Sequence, residues 1–168
     1  MHRKLCAFSF GVALLLCAIA LPASGFEVVN GAKAAVILLP ENAQESSKLA
    51  ARELSDYVQK VSGTALSIET GKAGKKPCIV IGTLATLPDI PAEIVKKLDA
   101  AKQREAFFIK AAGQTMYIVG KDEVAELYGT YYFLEDKLGV RWLKAANPHD
   151  SGEYVPQSKT IVFPDYEL

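Results

Sequence analysis

Two pairs of acidic side chains in the C-terminal half of the chain could supply acid–base chemistry. They are Glu123 with Glu126, and Glu135 with Asp136. A glycosidase needs two carboxyl groups facing each other across a sugar, one protonated as the acid and one ionised as the base or nucleophile. Both pairs, however, alternate with lysine on the predicted solvent face of a helix. Solvated surface charge is the favoured interpretation, and no catalytic residue is predicted.

Other residue types used in hydrolysis occur singly or side by side. His149, Asp150 and Ser151 have the composition of a triad, but adjacent side chains cannot converge on one substrate atom, and no Gly-x-Ser-x-Gly elbow is present. A zinc protease would need His-Glu-x-x-His, which is absent. Cys78 lies among apolar residues and is interpreted as a small buried hydrophobe. The glycines and lysines of residues 70–76 lack the phosphate-loop pattern. We therefore predict no metal site and no cofactor.

A capped amphipathic helix is predicted to position the acidic pairs. Asp122 can accept hydrogen bonds from the first amide groups of this helix, and Gly139 can end it in the left-handed conformation. Residues 140–143, Val-Arg-Trp-Leu, then read as a strand. The predicted buried face of the helix carries apolar residues at three- and four-residue steps: Val124, Leu127, Tyr128, Tyr131, Leu134 and Leu138.

The preceding part of the chain alternates predicted strands and helices. Residues 34–39 form an apolar run stopped by Pro40, and Asn42 with Glu45 gives a capping-box signature for a helix that ends at Gly63. Strands are predicted at 66–69 and 78–81, a short helix at 92–102, and a hairpin of 105–111 with 115–120 that turns at Gly113. A last strand is predicted at 159–163. This order indicates an α/β layer with at least one parallel, right-handed connection.

Segments of the sequence also resemble a known domain family. The helix and strand read YGxYxFLExxLGVRWL, and a polar loop with Gly-x-x-Val-Pro follows. Together with segments 49–63, 79–82 and 105–109, in the same order, they resemble the N-terminal accessory domain of large secreted glycoside hydrolases. The likeness is strongest to the α-glucuronidases of glycoside hydrolase family 67. Their domain shares its fold with the small α/β domain that precedes the barrel in β-hexosaminidases.

This resemblance implies a fold, a role and partners. The fold would be an α/β sandwich of the β-hexosaminidase domain-2 type, a mixed sheet with helices packed on one main face. The domain would be non-catalytic, because the acid and base residues of the family belong to a catalytic barrel. That barrel is missing from this chain and would act in cis or in trans. The alternative is a stand-alone secreted module that binds carbohydrate or protein.

Three residues are candidates for an interface or a sugar contact: Tyr132, Arg141 and Trp142. In the functional interpretation Trp142 stacks on a sugar ring or a partner domain, and Arg141 pairs with a carboxylate such as that of a uronic acid. In the alternative interpretation Trp142 is a core residue and Arg141 a surface charge. Core packing is favoured for Tyr128 and Tyr131, which share the apolar helical face.

Composition and the N-terminal sequence limit the expected location, domain number and partners of the protein. Residues 1–25 resemble a cleaved signal peptide, with a basic start, an apolar stretch and small residues before Phe26. We therefore expect a secreted or periplasmic protein without a membrane span after cleavage. Residues 26–168 fit one domain. This segment has 17 basic and 19 acidic residues, a formal charge of −2, and no basic block, so nucleic acid is not an expected partner.

Overall fold

The computed structural model describes residues 25–168, so the predicted signal peptide lies outside the described residues except for Gly25, which begins the first strand. The strands, in chain order, are β1 (Gly25–Asn30), β2 (Lys33–Ala34), β3 (Val36–Leu39), β4 (Ser67–Thr70), β5 (Cys78–Thr83), β6 (Phe107–Ala112), β7 (Thr115–Gly120), β8 (Arg141–Trp142), β9 (Glu153–Tyr154), β10 (Thr160–Pro164) and β11 (Tyr166–Glu167). The helices are α1 (Glu45–Ser62), α2 (Ala92–Ala100) and α3 (Glu123–Tyr132), which continues into a π-helical turn, Phe133–Lys137.

A six-stranded mixed sheet in the order β11-β6-β7-β5-β3-β4 forms the centre of the domain. The strands β4, β3, β5 and β7 run parallel to one another, and β6 and β11 are antiparallel additions. The predicted parallel connection and the hairpin at Gly113 are therefore confirmed. The first strand of the described chain pairs with β10 and β2 in a separate three-stranded antiparallel sheet, and β8 pairs with β9.

Helices cover the two faces of the central sheet unequally. Because successive strand residues point to opposite faces, Ile79 and Ile81 of β5 lie in the main core with α1 and α3, whereas Val80 points the other way. The small helix α2 packs Ile94 and Leu98 on that second face. The predicted α/β sandwich with one main helical face is thus confirmed, and α2 is an addition on the opposite face.

Four of the six residues predicted on the buried face of α3 and its π-helical continuation pack in the main core, and two do not. Leu134 and Leu138 are buried there, and Leu127 and Tyr131 are partly buried against it. Val124 and Tyr128, which the sequence placed inside, are exposed, while Ala125, Gly129 and Thr130 face the sheet. A Cβ on Gly129 would lie 3.1 Å from both Ile118 Cγ2 and Phe107 Cδ2. Small residues therefore allow α3 to approach the sheet closely. The close fit of the helix on the sheet determines which face is buried, although Val124 and Tyr128 are more hydrophobic.

Helix termini confirm part of the capping analysis. The carboxylate of Asp122 accepts hydrogen bonds from the amides of Val124 and Ala125 at 3.1 and 3.0 Å, as predicted. Gly63 ends α1 with φ 84°, also as predicted. The capping box at Asn42 is wrong, because α1 begins after Gln44 and that residue makes no side-chain capping bond.

Candidate functional site

Trp142 lies over the junction of α1 and α3 and is held there by two tyrosine rings. The centroid of its ring is 5.5 Å from that of Tyr57 on α1 and 5.5 Å from that of Tyr131 on α3, both in edge-to-face geometry. Edge-to-face pairs place the positive edge of one ring against the negative face of the other. Because 42% of Trp142 remains exposed, the residue is neither a core tryptophan nor a freely moving surface one.

A chain of hydrogen bonds fixes the orientation of this indole. The Nε1–H group of Trp142 donates to the hydroxyl of Tyr57 at 2.7 Å, and that hydroxyl donates to Glu153 Oε2 at 2.5 Å. Lys60 Nζ donates to Glu153 Oε1 at 2.6 Å and lies 4.3 Å from the centre of the Tyr57 ring. The partner of Tyr57, Glu153, lies 96 residues away along the chain, and no local sequence pattern indicates this contact.

The charges around Trp142 stabilise one protonation state. Burial, together with the hydrogen bond to Glu153, raises the pKa of Tyr57 to about 12, so the phenol stays protonated and can donate. The hydrogen bonds from Lys60 and Tyr57 hold the pKa of Glu153 below its ordinary value. Burial, then the nearby Glu53 carboxylate, raises the pKa of Tyr131. This arrangement keeps the phenol of Tyr57 protonated beside an ionised Glu153 and so orients an aromatic surface.

Arg141, the second candidate, is held by main-chain oxygen atoms. Its guanidinium Nη1 donates to the carbonyl of Glu135 in the π-helical turn and, at 2.8 Å, to the carbonyl of Val140. No carboxylate of the described residues pairs with it. The side chain is exposed, so its remaining donors face solvent. The β8 strand therefore presents an arginine and a tryptophan from adjacent positions.

Tyr132, the third candidate, belongs to a stripe of exposed side chains on the outer surface of α3. The stripe consists of Val124, Tyr128 and Tyr132, at four-residue steps, with 44%, 50% and 37% of each residue exposed. The ring of Tyr132 packs at 5.6 Å on Phe107, which limits its motion. We call these three residues the α3 stripe. Its pattern is that of a helix face that could receive another surface.

One acidic residue of the predicted solvent face proves to be buried. Glu126 is fully buried between α3 and the start of α1, where Ser47 Oγ and Ser46 Oγ donate to its Oε1 at 2.6 and 2.9 Å. Its second oxygen, Oε2, has no hydrogen-bond partner within residues 25–168. Burial raises the pKa of this carboxyl, and the two serine hydroxyls partly oppose that effect. By contrast, Glu123 and the pair Glu135 and Asp136 are exposed, as predicted.

The run from His149 to Ser151 is a turn, as the sequence indicated. The amide of His149 donates to the side chain of Asn147, and the carboxylate of Asp150 pairs with Lys144. The structure does not bring a histidine, an acid and a serine together here. Across the part of the chain that the structure describes, no cluster of three or more histidine, cysteine or acidic residues could hold a metal ion. Within the same range, no helix has the length and apolar character needed to cross a bilayer.

Comparison with solved structures identifies the fold. A family GH115 4-O-methyl-α-glucuronidase with specificity for decorated arabinogalactans is 15% identical over 85% of this chain and 18% of that one, with a TM-score of 0.52. A GH138 enzyme targeting pectin rhamnogalacturonan II is 17% identical over 61% and 10% of the two chains, with a TM-score of 0.40. The protein CpGH84D is 13% identical over 77% and 20%, with a TM-score of 0.44.

The first of these similarities establishes a shared fold, and the chain spans at most 20% of the length of these three structures. No curated protein sequence matches the chain. A sequence profile for one family does match, under the description Glycosyl hydrolase family 67 N-terminus, and it aligns with residues 26–133. Because this match spans more than half of the chain, the protein belongs to the family of glycosyl hydrolase family 67 N-terminal domains.

Proposed function

We propose that the chain is the non-catalytic accessory domain of a secreted carbohydrate-degrading glycoside hydrolase of the α-glucuronidase type. It acts beside a catalytic barrel that is supplied in cis or in trans, in the extracellular space or the periplasm. The observation that carries the proposal is the family match over residues 26–133, on a domain in which several carboxylates pair with groups of the same chain.

These carboxylates bind groups of their own domain. Asp122 caps α3 and pairs with Arg104 at 3.0 Å. Glu167 pairs with Lys97 at 2.8 Å, and Glu153 binds Lys60 and Tyr57. A glycosidase acid needs a raised pKa and an opposing carboxylate across a sugar-sized gap. Glu126 has the raised pKa, but it is buried against two serines without access for a sugar.

The α3 stripe is the surface that fits a barrel best. A domain that faced water on all sides would gain nothing from Val124, Tyr128 and Tyr132 on one exposed helix face. Aromatic residues are enriched at the centres of protein interfaces because they bury a large area with few rotatable bonds. In this proposal the domain shapes the substrate end of a neighbouring enzyme.

The test is an activity measurement on the purified chain. We expect no hydrolysis of aryl glycosides or of glucuronoxylan fragments above the rate of a buffer blank. Three matched variants each remove one carboxylate. Glu126→Gln removes the buried one, Glu153→Gln the paired one, and Glu123→Gln an exposed one. Turnover by the unmodified chain that one of these substitutions abolishes would contradict the proposal, because it would place the chemistry in this domain.

A second function, a carbohydrate- or protein-binding module that acts alone, is supported by one observation. Trp142 is partly exposed and rigidly oriented, with Arg141 beside it. An indole fixed in this way loses little conformational entropy when a sugar ring stacks on it. The guanidinium of Arg141, the adjacent residue of β8, has solvent-facing donors that could bind a carboxylate.

Substitution of Trp142 separates this function from the first. If the module binds sugar here, Trp142→Ala should weaken binding to glucuronoxylan or arabinogalactan about tenfold, or about 1.4 kcal/mol. The melting temperature should fall, because the indole packs on Tyr57 and Tyr131 and donates to the Tyr57 hydroxyl, so circular dichroism must show that the variant is folded at the temperature of the binding measurement. Tyr128→Ala, at an equally exposed aromatic on α3, is the control for affinity electrophoresis or calorimetry. Equal affinity of the unmodified chain and Trp142→Ala would exclude Trp142 as a sugar contact.

A further inference from the structure

The strands β3 and β5 meet at a topological switch point of the central sheet. They are adjacent and parallel, so both end at the same edge. The chain leaves β3 toward α1 on the main helical face, and it leaves β5 toward α2 on the opposite face. In open α/β sheets, connections that diverge in this way leave a crevice outside the carboxyl ends of the two strands.

A cleft of about 410 Å³ lies at this place. One wall is formed by residues 40–42, which follow β3, and the other by residues 86–88, which follow β5. Gly71 and Lys72, from the loop after β4, complete the rim. A second recess of about 300 Å³, lined in part by Tyr117 and Asp89, adjoins it through Lys72, Leu87 and Pro88. Volumes of a few hundred cubic ångströms are typical of small-molecule sites.

A rigid turn holds the wall that follows β5. The amide of Thr83 donates to Thr86 Oγ1 at 2.9 Å, and the amide of Leu87 donates to the carbonyl of Thr83 at 3.1 Å. A Cβ on Gly82 would lie 2.7 Å from Leu87 Cγ, so the glycine lets the turn fold back on β5. The position of Leu87 in the cleft is therefore fixed before any ligand binds, which lowers the entropic cost of binding.

The other wall and the rim provide polar groups. Asn42 and Glu41 are exposed, and neither side chain makes a hydrogen bond or ion pair within the described part of the chain. Lys72 Nζ pairs with Asp89 Oδ2 at 2.7 Å across the rim. The amide of Gly71 donates to the carbonyl of Leu39 at 3.0 Å and so anchors the rim loop to β3.

We infer that this cleft binds the ring of a neutral sugar. The apolar surface of Leu87 and Pro88 can receive the C–H face of a ring, the Asn42 amide can both donate to and accept from hydroxyl groups, and the Glu41 carboxylate can accept from two. The inference rests on the proposed carbohydrate role of the domain and adds a site remote in sequence from Trp142. It differs from the docking of a barrel, which uses the α3 stripe.

Charge decides between neutral and acidic sugars. Lys72 pairs with Asp89, which lines the adjoining recess, so Glu41 is the charged residue of the cleft lining that has no ion-pair partner among the described residues. A uronate would therefore meet a like charge, whereas a neutral pyranoside offers hydroxyl donors to the same carboxylate. The cleft thus favours sugars without a carboxylate.

The experiment is a titration of the full chain, followed by nitrogen–proton correlation spectra. The probes are the methyl glycosides of glucose, xylose, galactose and arabinose, and methyl glucuronide as the acidic counterpart of methyl glucoside. For at least one neutral glycoside we expect saturable shifts of the amides of residues 41–42, 71–72 and 86–87. Asn42→Ala should weaken that binding at least fivefold with little change in the melting temperature, because the exposed side chain makes no hydrogen bond with a described residue. Trp142→Ala is the control and should leave these shifts unchanged.

Three results would overturn the inference. The first is the absence of saturable shifts at these amides with every neutral glycoside at 20 mM. The second is binding that Asn42→Ala leaves intact. The third is methyl glucuronide binding as tightly as methyl glucoside at low salt. Glu41→Gln removes the carboxylate of the cleft, so we expect it to reduce the difference in affinity between these two glycosides. Shifts confined to Trp142 and its neighbours would overturn the inference about the cleft but would support the binding-module function. Failure of the cleft inference can therefore be distinguished from failure of the binding-module function.

Discussion

Replacing Gly120 with alanine is expected to prevent stable folding. Gly120 is the last residue of β7, and the start of α3 turns back over it. A Cβ at this position would lie 2.2 Å from the amide nitrogen of Glu126 and 2.6 Å from the carbonyl oxygen of Asp122. Both are backbone atoms of the helix, so no side-chain rotation can relieve the contact. We expect a loss of more than about 4 kcal/mol, comparable to the whole stability of a small domain.

Gly74→Ala is the matched control for this substitution. A Cβ on Gly74 would meet no atom within 4 Å, and the residue lies in the exposed lysine loop. Its unfolding free energy should stay within about 0.5 kcal/mol of the unmodified chain. Urea unfolding followed by circular dichroism measures both variants. A Gly120→Ala protein that unfolds at the same urea concentration as Gly74→Ala would mean that α3 does not cross β7 as described.

The buried carboxyl of Glu126 gives the second largest expected effect. Ser47 is itself fully buried and donates the shorter of the two hydrogen bonds to Glu126 Oε1. Ser47→Ala removes this donor and leaves a buried acceptor with the weaker bond from Ser46. We expect a loss of about 1–3 kcal/mol at pH 7, the usual cost of an unsatisfied buried polar group. Ser46→Ala, at the less buried position, should cost less in the same urea titration.

The pH dependence of Glu126→Gln tests the same site. The pKa of Glu126 is raised above its ordinary value of 4.5 by burial. Its contribution to stability is therefore fully present below the unfolded-state pKa and is lost as pH rises through the folded-state pKa. Glutamine cannot ionise, so the stability of Glu126→Gln relative to the unmodified chain should increase from pH 4 upward. A difference that stays constant between pH 4 and pH 8 would contradict the burial of an ionisable carboxyl here.

The sequence predicted five of the six strands of the central sheet, all except β11, because each of the five carries a local signal. The apolar runs of β3 and β5, the turn at Gly113 and the cap at Asp122 all depend on residues close to one another in the chain. The antiparallel sheet of β1, β2 and β10 was missed except for its last strand. Its pairing joins residues about 130 positions apart, such as Asn30 with Thr160, and no local pattern specifies such a register.

The role of the three candidate residues stays a prediction, and the sequence did not indicate the geometry around them. Arg141, Trp142 and Tyr132 are at least partly exposed, yet the hydrogen-bond chain from Trp142 through Tyr57 to Glu153 depends on three distant segments. The assignment of Glu126 to the solvent face failed for the same reason, because its serine partners lie 79 and 80 residues away. The capping assignment was wrong because Gln44, not Asn42, precedes α1. Asn42 instead lines the cleft at the switch point.

The π-helical turn makes the position of Trp142 sensitive to the length of the chain. In this turn the amide of Leu138 reaches back five residues to the carbonyl of Phe133, so the helix holds one residue more than an α-helix would. An α-helix advances about 100° per residue. A single-residue deletion within Phe133–Lys137 that restored α-helical geometry would therefore rotate the following strand by about that angle and carry Trp142 away from Tyr57. Among homologous chains, substitutions at the exposed positions of this turn, Glu135 and Asp136, should be tolerated where insertions and deletions are not.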